Sequence, residues 1–492
     1  MSGEWLYRYE VKGIQDFIMA TDKLREMKGA SSLIVELGDL FTEASRAAGL
    51  GTAKMVEPPV AGGATMLVNS DDRRKLDAFM AGWPVIVARH APGLRLVQAL
   101  VPKEDGFDEL HRRLRADRSR HFTELPEAGP LVMRAPRTGL PATELGTNAT
   151  DEGRKMVAMD PASHRKAVAS SNDRLGQRLD QSDWVDNLEE ITHSYLAVVH
   201  ADGNDIGRRK KEVLEKEGQE ELLSFSRKLS GATLSAVKAA IEEVLVPARR
   251  KDGRLPARPI VVGGDDVTFI IRADLAFDFT LKLLEAFEKE SGDLDLHACA
   301  GIAYVHLSHP FHLAHCLAEE LCEFTKENLR GRQNGITPSG LSFYRLTTSI
   351  SEAYDELRRK CLLVTREGGK RLLSMCPYTV GDVPGFPRAA DIRELSKLLA
   401  AEGVEEYGLP SGPVREFVGL MLEDGNLAEK RWQRFRTVQK QDNEKTWEKT
   451  QQYLEALGVN EETGWAHWSG QGEWEASPWL DAMTLNRTQS PE

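Results

Sequence analysis

The stretch ARPIVVGGDDVTFII, from Ala257 to Ile271, sets two glycines and two aspartates between two runs of β-branched and aromatic residues. Such runs on either side of a Gly-Gly pair predict two strands joined by a tight turn. Gly263 and Gly264 let the backbone double back. Asp265 and Asp266 are harder to explain, because adjacent carboxylates repel each other and resist desolvation, so a positive group belongs beside them.

Upstream, YLAVVH (Tyr195 to His200) reads as a strand that runs through ADGNDIG (Ala201 to Gly207) into a helix. Along that helix Phe225, Leu229, Ala232, Ala236, Ala240 and Val244 recur every three or four residues, which defines one buried face. Downstream of the hairpin come a helix (LAFDFTLKLLEAFEKE), a strand (LDLHACAGIAYV), a helix (FHLAHCLAEELCEFTKENL) and a short strand (LSFYR). The order βαββαβαβ predicts a ferredoxin-like sheet with an added edge, the architecture of polymerase palms.

In that topology the end of the first strand lies beside the hairpin turn, so Asp202 is expected to face Asp265 and Asp266. Three carboxylates from two turns make a hard oxygen cage suited to Mg²⁺ or Mn²⁺. Metal in that position activates a ribose hydroxyl and neutralises a triphosphate. The glycines at 203, 207, 263 and 264 allow close approach, and the amides of ADGNDIG at a helix start can cradle phosphates. Gly-Gly-Asp-Asp taken alone is equally a plain hairpin turn, since both residues form turns, and a structural calcium site is a further reading. The acid at 202 favours catalysis, because it falls at the other place a palm needs one.

The pattern occurs twice. WLYRYEVKGIQDFI near the start resembles YLAVVHADGNDIG, and PPVAGGATMLV from Pro58 resembles RPIVVGGDDVTFI from Arg258. Gly13 and Gly203 are 190 positions apart and Gly62 and Gly263 are 201 apart, a difference one loop insertion absorbs. Two copies of one domain follow. By this alignment the first copy has Lys12, Ala64 and Thr65 in place of the three aspartates, so it is expected to hold no catalytic metal and to seat an acceptor nucleotide through Lys12 and backbone amides. The chain divides into a degenerate first palm (1–115), an inter-palm region (116–190), a catalytic second palm (191–348) and a mainly helical C-terminal domain (349–492). The fold class is α+β.

The 492 residues are 41% hydrophobic with a mean hydropathy of -0.40, as in soluble globular proteins. A net charge of -12 argues against a broad electrostatic grip on nucleic acid, though not against a local basic groove. No apolar run approaches the roughly 20 residues of a membrane span, and MSGEWLYRYEV is no signal peptide, so the expectation is a cytoplasmic protein without membrane contact. Cysteines at 299, 316, 322, 361 and 376 form no CxxC pair and read as core thiols. His297, His306, His312 and His315 fall on different elements without ligand spacing, and read as ordinary histidines. Arg208 to Lys211, RRKK, reads as a solvated helix face. The tryptophans of GWAHWSGQGEWEASPW read as an interaction or capping surface, since few basic residues interleave them.

Together, VKGIQDFI, KGASSLIVEL, VVHADGNDIG, VVGGDDV, ACAGIAYV and PFHLAHCLAEEL followed by Lys326 resemble the large palm subunit of type III CRISPR effectors, with a weaker echo in RLLSMCPYTV (Arg371 to Val380). Diguanylate cyclases are more distantly similar; they carry phenylalanine where this chain has Val267. The resemblance implies an enzyme, a metal-dependent nucleotidyltransferase that makes cyclic oligoadenylate messengers from ATP in antiviral defence. It casts Asp202, Asp265 and Asp266 as catalytic metal ligands. Gly203, Asn204, Asp205, Ile206, Gly207, Gly263, Gly264 and Lys326 become the nucleotide-binding set, with Lys326 directed at the triphosphate and Asn204 and Asp205 contacting ribose or capping the helix.

Two departures matter. The palm pattern starts within about five residues of Met1, which leaves no room before it for the His-Asp nuclease domain of many members. RAPRTGLPATE (Arg134 to Glu144) stands without cysteine where the family often has a zinc module. Zinc and single-strand DNA cleavage are therefore not expected. The partners implied are nucleotide, other effector subunits, and guide or target RNA, with a second copy of the chain as a further candidate. The alternative reading is a non-catalytic, nucleotide-binding scaffold subunit of an RNA-guided complex.

Overall fold

The computed structural model describes residues 3–21, 23–60, 62–118, 129, 131–150, 153–333, 335–348, 352–366, 369–400, 408–423, 425–468 and 474–488. They form two compact units, Met1–Ser182 and Asp183–Glu492.

The first unit opens with β1 (Glu4–Lys12), α1 (Ile14–Met19), α2 (Leu24–Ala47), the hairpin β2 (Lys54–Val60) and β3 (Gly63–Asn69), α3 (Arg73–His90), β4 (Arg95–Pro102) and α4 (Gly106–Arg118). Its strands line up β2-β3-β1-β4, with β1 antiparallel to both β3 and β4. Tyr7 and Tyr9, two apart on β1, share the face covered by α2 and α3, where Tyr9 meets the rings of Phe41 and Trp83 at 4.8 and 5.2 Å. Beyond α4 lie the hairpin β5 (Glu144–Thr150) and β6 (Gly153–Met159), then α5 (Pro161–Ala169) and α6 (Arg174–Arg178). The start of the predicted inter-palm region falls partly outside the described residues.

The second unit repeats the plan. It runs β7 (Tyr195–Gly203), α7 (Ile206–Lys216), α8 (Gln219–Ala240), the hairpin β8 (Ala257–Gly263) and β9 (Asp266–Arg272), α9 (Ala273–Ser291), β10 (Ala298–His306), α10 (Phe311–Leu329) and β11 (Gly340–Arg345). The six-stranded sheet, in which β8-β9-β7-β10 repeats the order of the first unit, adds β11 in parallel to β10 and, beyond it, the antiparallel edge strand Tyr378–Thr379. The chain is thus α+β, with two ferredoxin-like palm sheets. Strands β8 and β9 are built from Ile260, Val262, Val267, Phe269, Ile270 and Ile271, all buried.

A wide helical turn at Ile241–Leu245 follows α8. It slips the buried face by one position, so Ile241 and Leu245 are buried where the spacing predicted Val244.

The repeat is real, but its register differs from the alignment on Gly-Gly pairs. In the first unit the hairpin closes with Val60 opposite Gly63; in the second it closes with Gly263 opposite Asp266. Glu10 lies across from Gly63 on β1, as Asp202 lies across from Asp266 when the β7–β9 ladder is continued by one residue beyond Ala201 and Val267. The first-unit counterparts of Asp202, Asp265 and Asp266 are therefore Glu10, Gly62 and Gly63, not Lys12, Ala64 and Thr65. The two glycine pairs sit two residues apart in register around their turns, which sequence alone did not reveal. Glu10 is held by Arg8, whose Nε is 2.8 Å from its carboxylate, and Lys12 lies across from Arg95 of β4 in the ladder.

After β11 come α11 (Tyr354–Leu357), β12 (Leu363–Arg366), β13 (Gly369–Leu372), β14 (Tyr378–Thr379), α12 (Ala389–Ala400), α13 (Ser411–Glu423), α14 (Gly425–Asp442), α15 (Glu444–Ala456), β15 (Val459–Asn460), β16 (Trp465–Trp468), β17 (Trp474–Ala476) and α16 (Trp479–Thr488). The helices come with a small sheet, β12-β13-β17-β16-β15, that the charged sequence did not announce. Trp465 and Trp479 are buried with Trp432 and Trp447, so these indoles form a core rather than the predicted surface. Residues 469–473 of that tryptophan-rich stretch lie outside the described residues. Of the five cysteines, Cys299, Cys322 and Cys376 are buried as expected, whereas Cys316 and Cys361 are exposed.

Candidate active site

Asp202 and Gly203 end β7, and Gly264 and Asp265 turn the β8–β9 hairpin. Gly264 has φ +65°, a left-handed conformation that a side chain would strain. Gly203 is equally constrained: a Cβ there would stand 2.6 Å from Ile206 Cγ1 and 2.9 Å from Asp265 Cβ. That close approach lays the end of β7 against the turn and sets Asp202 near enough to Asp265 and Asp266 for its charge to act on both.

Two neighbouring helices fix this place. Thr233, buried on α8, donates its hydroxyl to the Gly264 carbonyl at 2.7 Å and so ties the turn down. From α10, Lys326 Nζ reaches Asp202 Oδ2 at 2.5 Å and the Gly203 carbonyl at 3.2 Å. On the strands, side chains two apart share a face, so His200 accompanies Asp202 and Thr268 accompanies Asp266. His200 Nδ1 meets Thr268 Oγ1 at 3.2 Å, and its ring stands edge-on to His315 of α10 at 5.5 Å.

The electrostatics follow from burial and crowding. Asp266 is pushed up to about 7, first by desolvation, then by the charges of Asp202, Asp265 and Glu319, with Lys326 opposing. Asp265 is raised by desolvation and Asp202, against Lys210 and Lys326. Burial works against the charge of Lys326, but Asp202 holds it above the usual lysine value. Burial takes His200 down to about 4, so it is neutral at pH 7 and its 3.9 Å approach to Asp266 is no ion pair.

The remaining predicted residues divide. Gly263 pairs with Asp266, Ile206 is buried under the β7–α7 turn, and Gly207 is exposed in the first turn of α7. Asn204 is buried and donates Nδ2 to the carbonyls of Thr337 and Pro338, each at 3.1 Å. Asp205 stands at the N-cap of α7 with φ 57°, but its carboxylate accepts from Thr337 Oγ1 at 3.1 Å instead of capping the helix. Neither side chain caps; both fasten the turn to the segment before β11.

Thr233, His200, Glu319 and Lys210 were missed. A signal was present on α10, where His315, Glu319, Cys322 and Lys326 follow at helical spacings of four, three and four along the face toward β7. Of RRKK, Arg208 and Lys211 pair along the exposed helix with Glu212 and Glu215, as a solvated face does, while Lys210 bears on Asp265.

Hard carboxylate oxygens, desolvated and repelling one another, suit a divalent cation by chemistry. The geometry is one step short of a ligand set: among the described residues no three His, Cys, Asp or Glu side chains close on a common point, and Asp202 is engaged by Lys326. The 131–143 loop, where zinc was not expected, is tied by hydrogen bonds, with Ala135 N donating to Leu140 O at 2.8 Å, Ala142 N to Met133 O at 2.8 Å and Arg134 Nη1 to Gly139 O at 2.8 Å.

This sheet order and hairpin define a palm domain of the nucleotidyl cyclase and polymerase type. Residues 195–337 match the family described as Cas10/Cmr2, second palm domain. Among solved structures the chain is similar to a Csm1–Csm4 cassette in complex with cA3 (TM-score 0.55, 13% identity) and one in complex with AMPPNP (TM-score 0.54, 15% identity). It is also similar to Csm1 in T. onnurineus (TM-score 0.51, 15% identity). Each match covers 99% of this chain and 70% of the other. No curated protein matches the sequence. At these identities the likeness is one of fold, and it bears out the resemblance to the large palm subunit of type III CRISPR effectors. Among the described residues no helix is long and apolar enough to cross a membrane.

Proposed function

We propose that the second palm is a metal-dependent nucleotidyltransferase that joins ATP into cyclic oligoadenylate-type messengers. One observation carries this reading: Asp202, at the end of β7, acts on both hairpin acids, which are held above their ordinary range by burial and by charge. Such a cluster destabilises the empty fold, and strongly perturbed carboxylates in a recess are characteristic of functional sites. The solved relatives bound to AMPPNP and cA3 support ATP as substrate and a cyclic product.

In this reading Asp202, Asp265 and Asp266 hold Mg²⁺ or Mn²⁺, which neutralises the triphosphate and makes a ribose hydroxyl a better nucleophile. The turn Gly203–Gly207 offers backbone amides at the start of α7 to the phosphates. Thr233 keeps the hairpin acids in place, and the neutral His200 packs beneath them without adding charge. Asn204 and Asp205 hold the β7–α7 turn in place through Thr337. By likeness to the Csm1–Csm4 cassettes, the working partner in this reading is another effector subunit and the setting is intracellular.

The second reading is a nucleotide-holding scaffold without chemistry. The Lys326–Asp202 pair favours it, because that pair leaves Asp202 neutralised. Incubation of the purified protein with labelled ATP and Mn²⁺ separates the two: metal-dependent release of pyrophosphate with a new oligonucleotide product supports the enzyme, and bound but unchanged ATP supports the scaffold.

A further inference from the structure

The Lys326 ammonium occupies one carboxylate oxygen of Asp202. It touches Oδ2 at 2.5 Å, it is also held by the Gly203 carbonyl, and its side chain is only 15% exposed. Lys326 also acts through space on both hairpin acids, and Lys210 on Asp265. The folded chain thus holds Asp202 in a direct, half-buried ion pair.

We propose that Lys326 is a gate on Asp202, which closes the cation site in the nucleotide-free protein and opens it when a triphosphate gives the ammonium a second anion. The inference rests on the metal and nucleotide sites of the proposed function. Its physical basis is that pulling Lys326 from Asp202 leaves two uncompensated charges in a half-buried place, which is costly unless each finds a new partner. A cation alone satisfies Asp202 but expels Lys326 into a recess beside its own like charge. A nucleotide alone satisfies Lys326 but exposes Asp202 to the repulsion of Asp265 and Asp266. Both together satisfy every charge, and the lysine's flexible four-carbon stem allows the swing. Cation and nucleotide therefore bind cooperatively, each raising the affinity of the other by the same factor. In a cell rich in free divalent cation, the site stays shut until substrate arrives.

The test measures Mn²⁺ binding by electron paramagnetic resonance and metal-free AMPPNP binding by calorimetry, on the wild type, Lys326→Met, Asp202→Asn and the double variant. The gate predicts opposite signs for Lys326→Met: Mn²⁺ binds on the order of tenfold more tightly without nucleotide, and metal-free AMPPNP binds more weakly. A misfolded variant would weaken both, and thermal unfolding checks it independently. The gate also predicts that the gain in Mn²⁺ affinity vanishes in the Asp202→Asn background. An equal gain in that background overturns the gate and leaves only a general effect of charge, with the metal site intact. No gain in either background overturns it as well. Absence of Mn²⁺ binding in every form, with and without AMPPNP, overturns the metal site itself and the gate with it.

Discussion

Thr233 Oγ1 lies 2.7 Å from the carbonyl oxygen of Gly264, and this one hydrogen bond joins α8 to the turn that carries Asp265. Thr233→Val keeps the shape and removes the donor, leaving the carbonyl unpaired at a cost of about 1–3 kcal/mol. The expected outcome is a lower melting temperature and a turnover reduced on the order of tenfold, because a loosened turn misplaces Asp265. Thr233→Ser, which keeps the hydroxyl, should hold both near the wild-type values. Thermal unfolding and pyrophosphate release check it.

Stability and activity should separate at the hairpin acids. Asp265→Ala and Asp266→Ala each remove a repelling charge, so in chelator both are expected to unfold at or above the wild-type temperature while losing roughly a hundredfold or more in turnover. Asp202→Ala should lose turnover equally but unfold earlier, since it strands Lys326. Calorimetric scans in chelator, paired with turnover in Mn²⁺, read both.

Asp266 and His200 contribute opposing parts to the pH dependence of stability. Asp266 is raised to about 7 in the folded chain against about 4 when unfolded, so its contribution favours folding least above pH 7 and stability falls as pH climbs between those values. His200, lowered to about 4 against about 6.5 unfolded, works the other way: its contribution is lost as pH falls through that window. Asp266→Asn removes the first part only. Its melting temperature relative to the wild type should therefore rise steadily from about pH 4.5 to 7 in chelator, and a constant difference would contradict the raised carboxyl.

Purified protein should contain no stoichiometric zinc by elemental analysis. The loop 131–143 holds its shape through its own backbone and through Arg134, and Thr138 adds a hydrogen bond of 2.9 Å to Asp160. Chelator should accordingly leave its protection from amide exchange unchanged.

Much of this was legible in the sequence because it rests on short-range physics. The apolar runs around Gly263 and Gly264 specify a hairpin, alternation on YLAVVH specifies a buried strand, and sheet order then forces Asp202 toward Asp265 and Asp266. What escaped depends on geometry that no local pattern encodes. The first-unit register turned on which residue of a glycine pair sits in the turn, so Glu10, not Lys12, matches Asp202. Asn204 and Asp205 looked like helix caps, but a left-handed Asp205 turned its carboxylate to Thr337, far away in sequence. The wide turn after Ala240 moved burial from Val244 to Leu245. Tryptophans spaced irregularly near the C-terminus gave no periodicity, so their burial around Trp432 was invisible.

The most direct test of the account is a single comparison: wild-type protein and the Asp265→Ala/Asp266→Ala variant, each incubated with labelled ATP and Mn²⁺, with products resolved by chromatography. The account predicts pyrophosphate and a cyclic adenylate product from the wild type, and loss of nearly all of both from the variant, with the variant still folded. Undiminished product from the double variant would contradict it, because the chemistry would then lie outside the second palm.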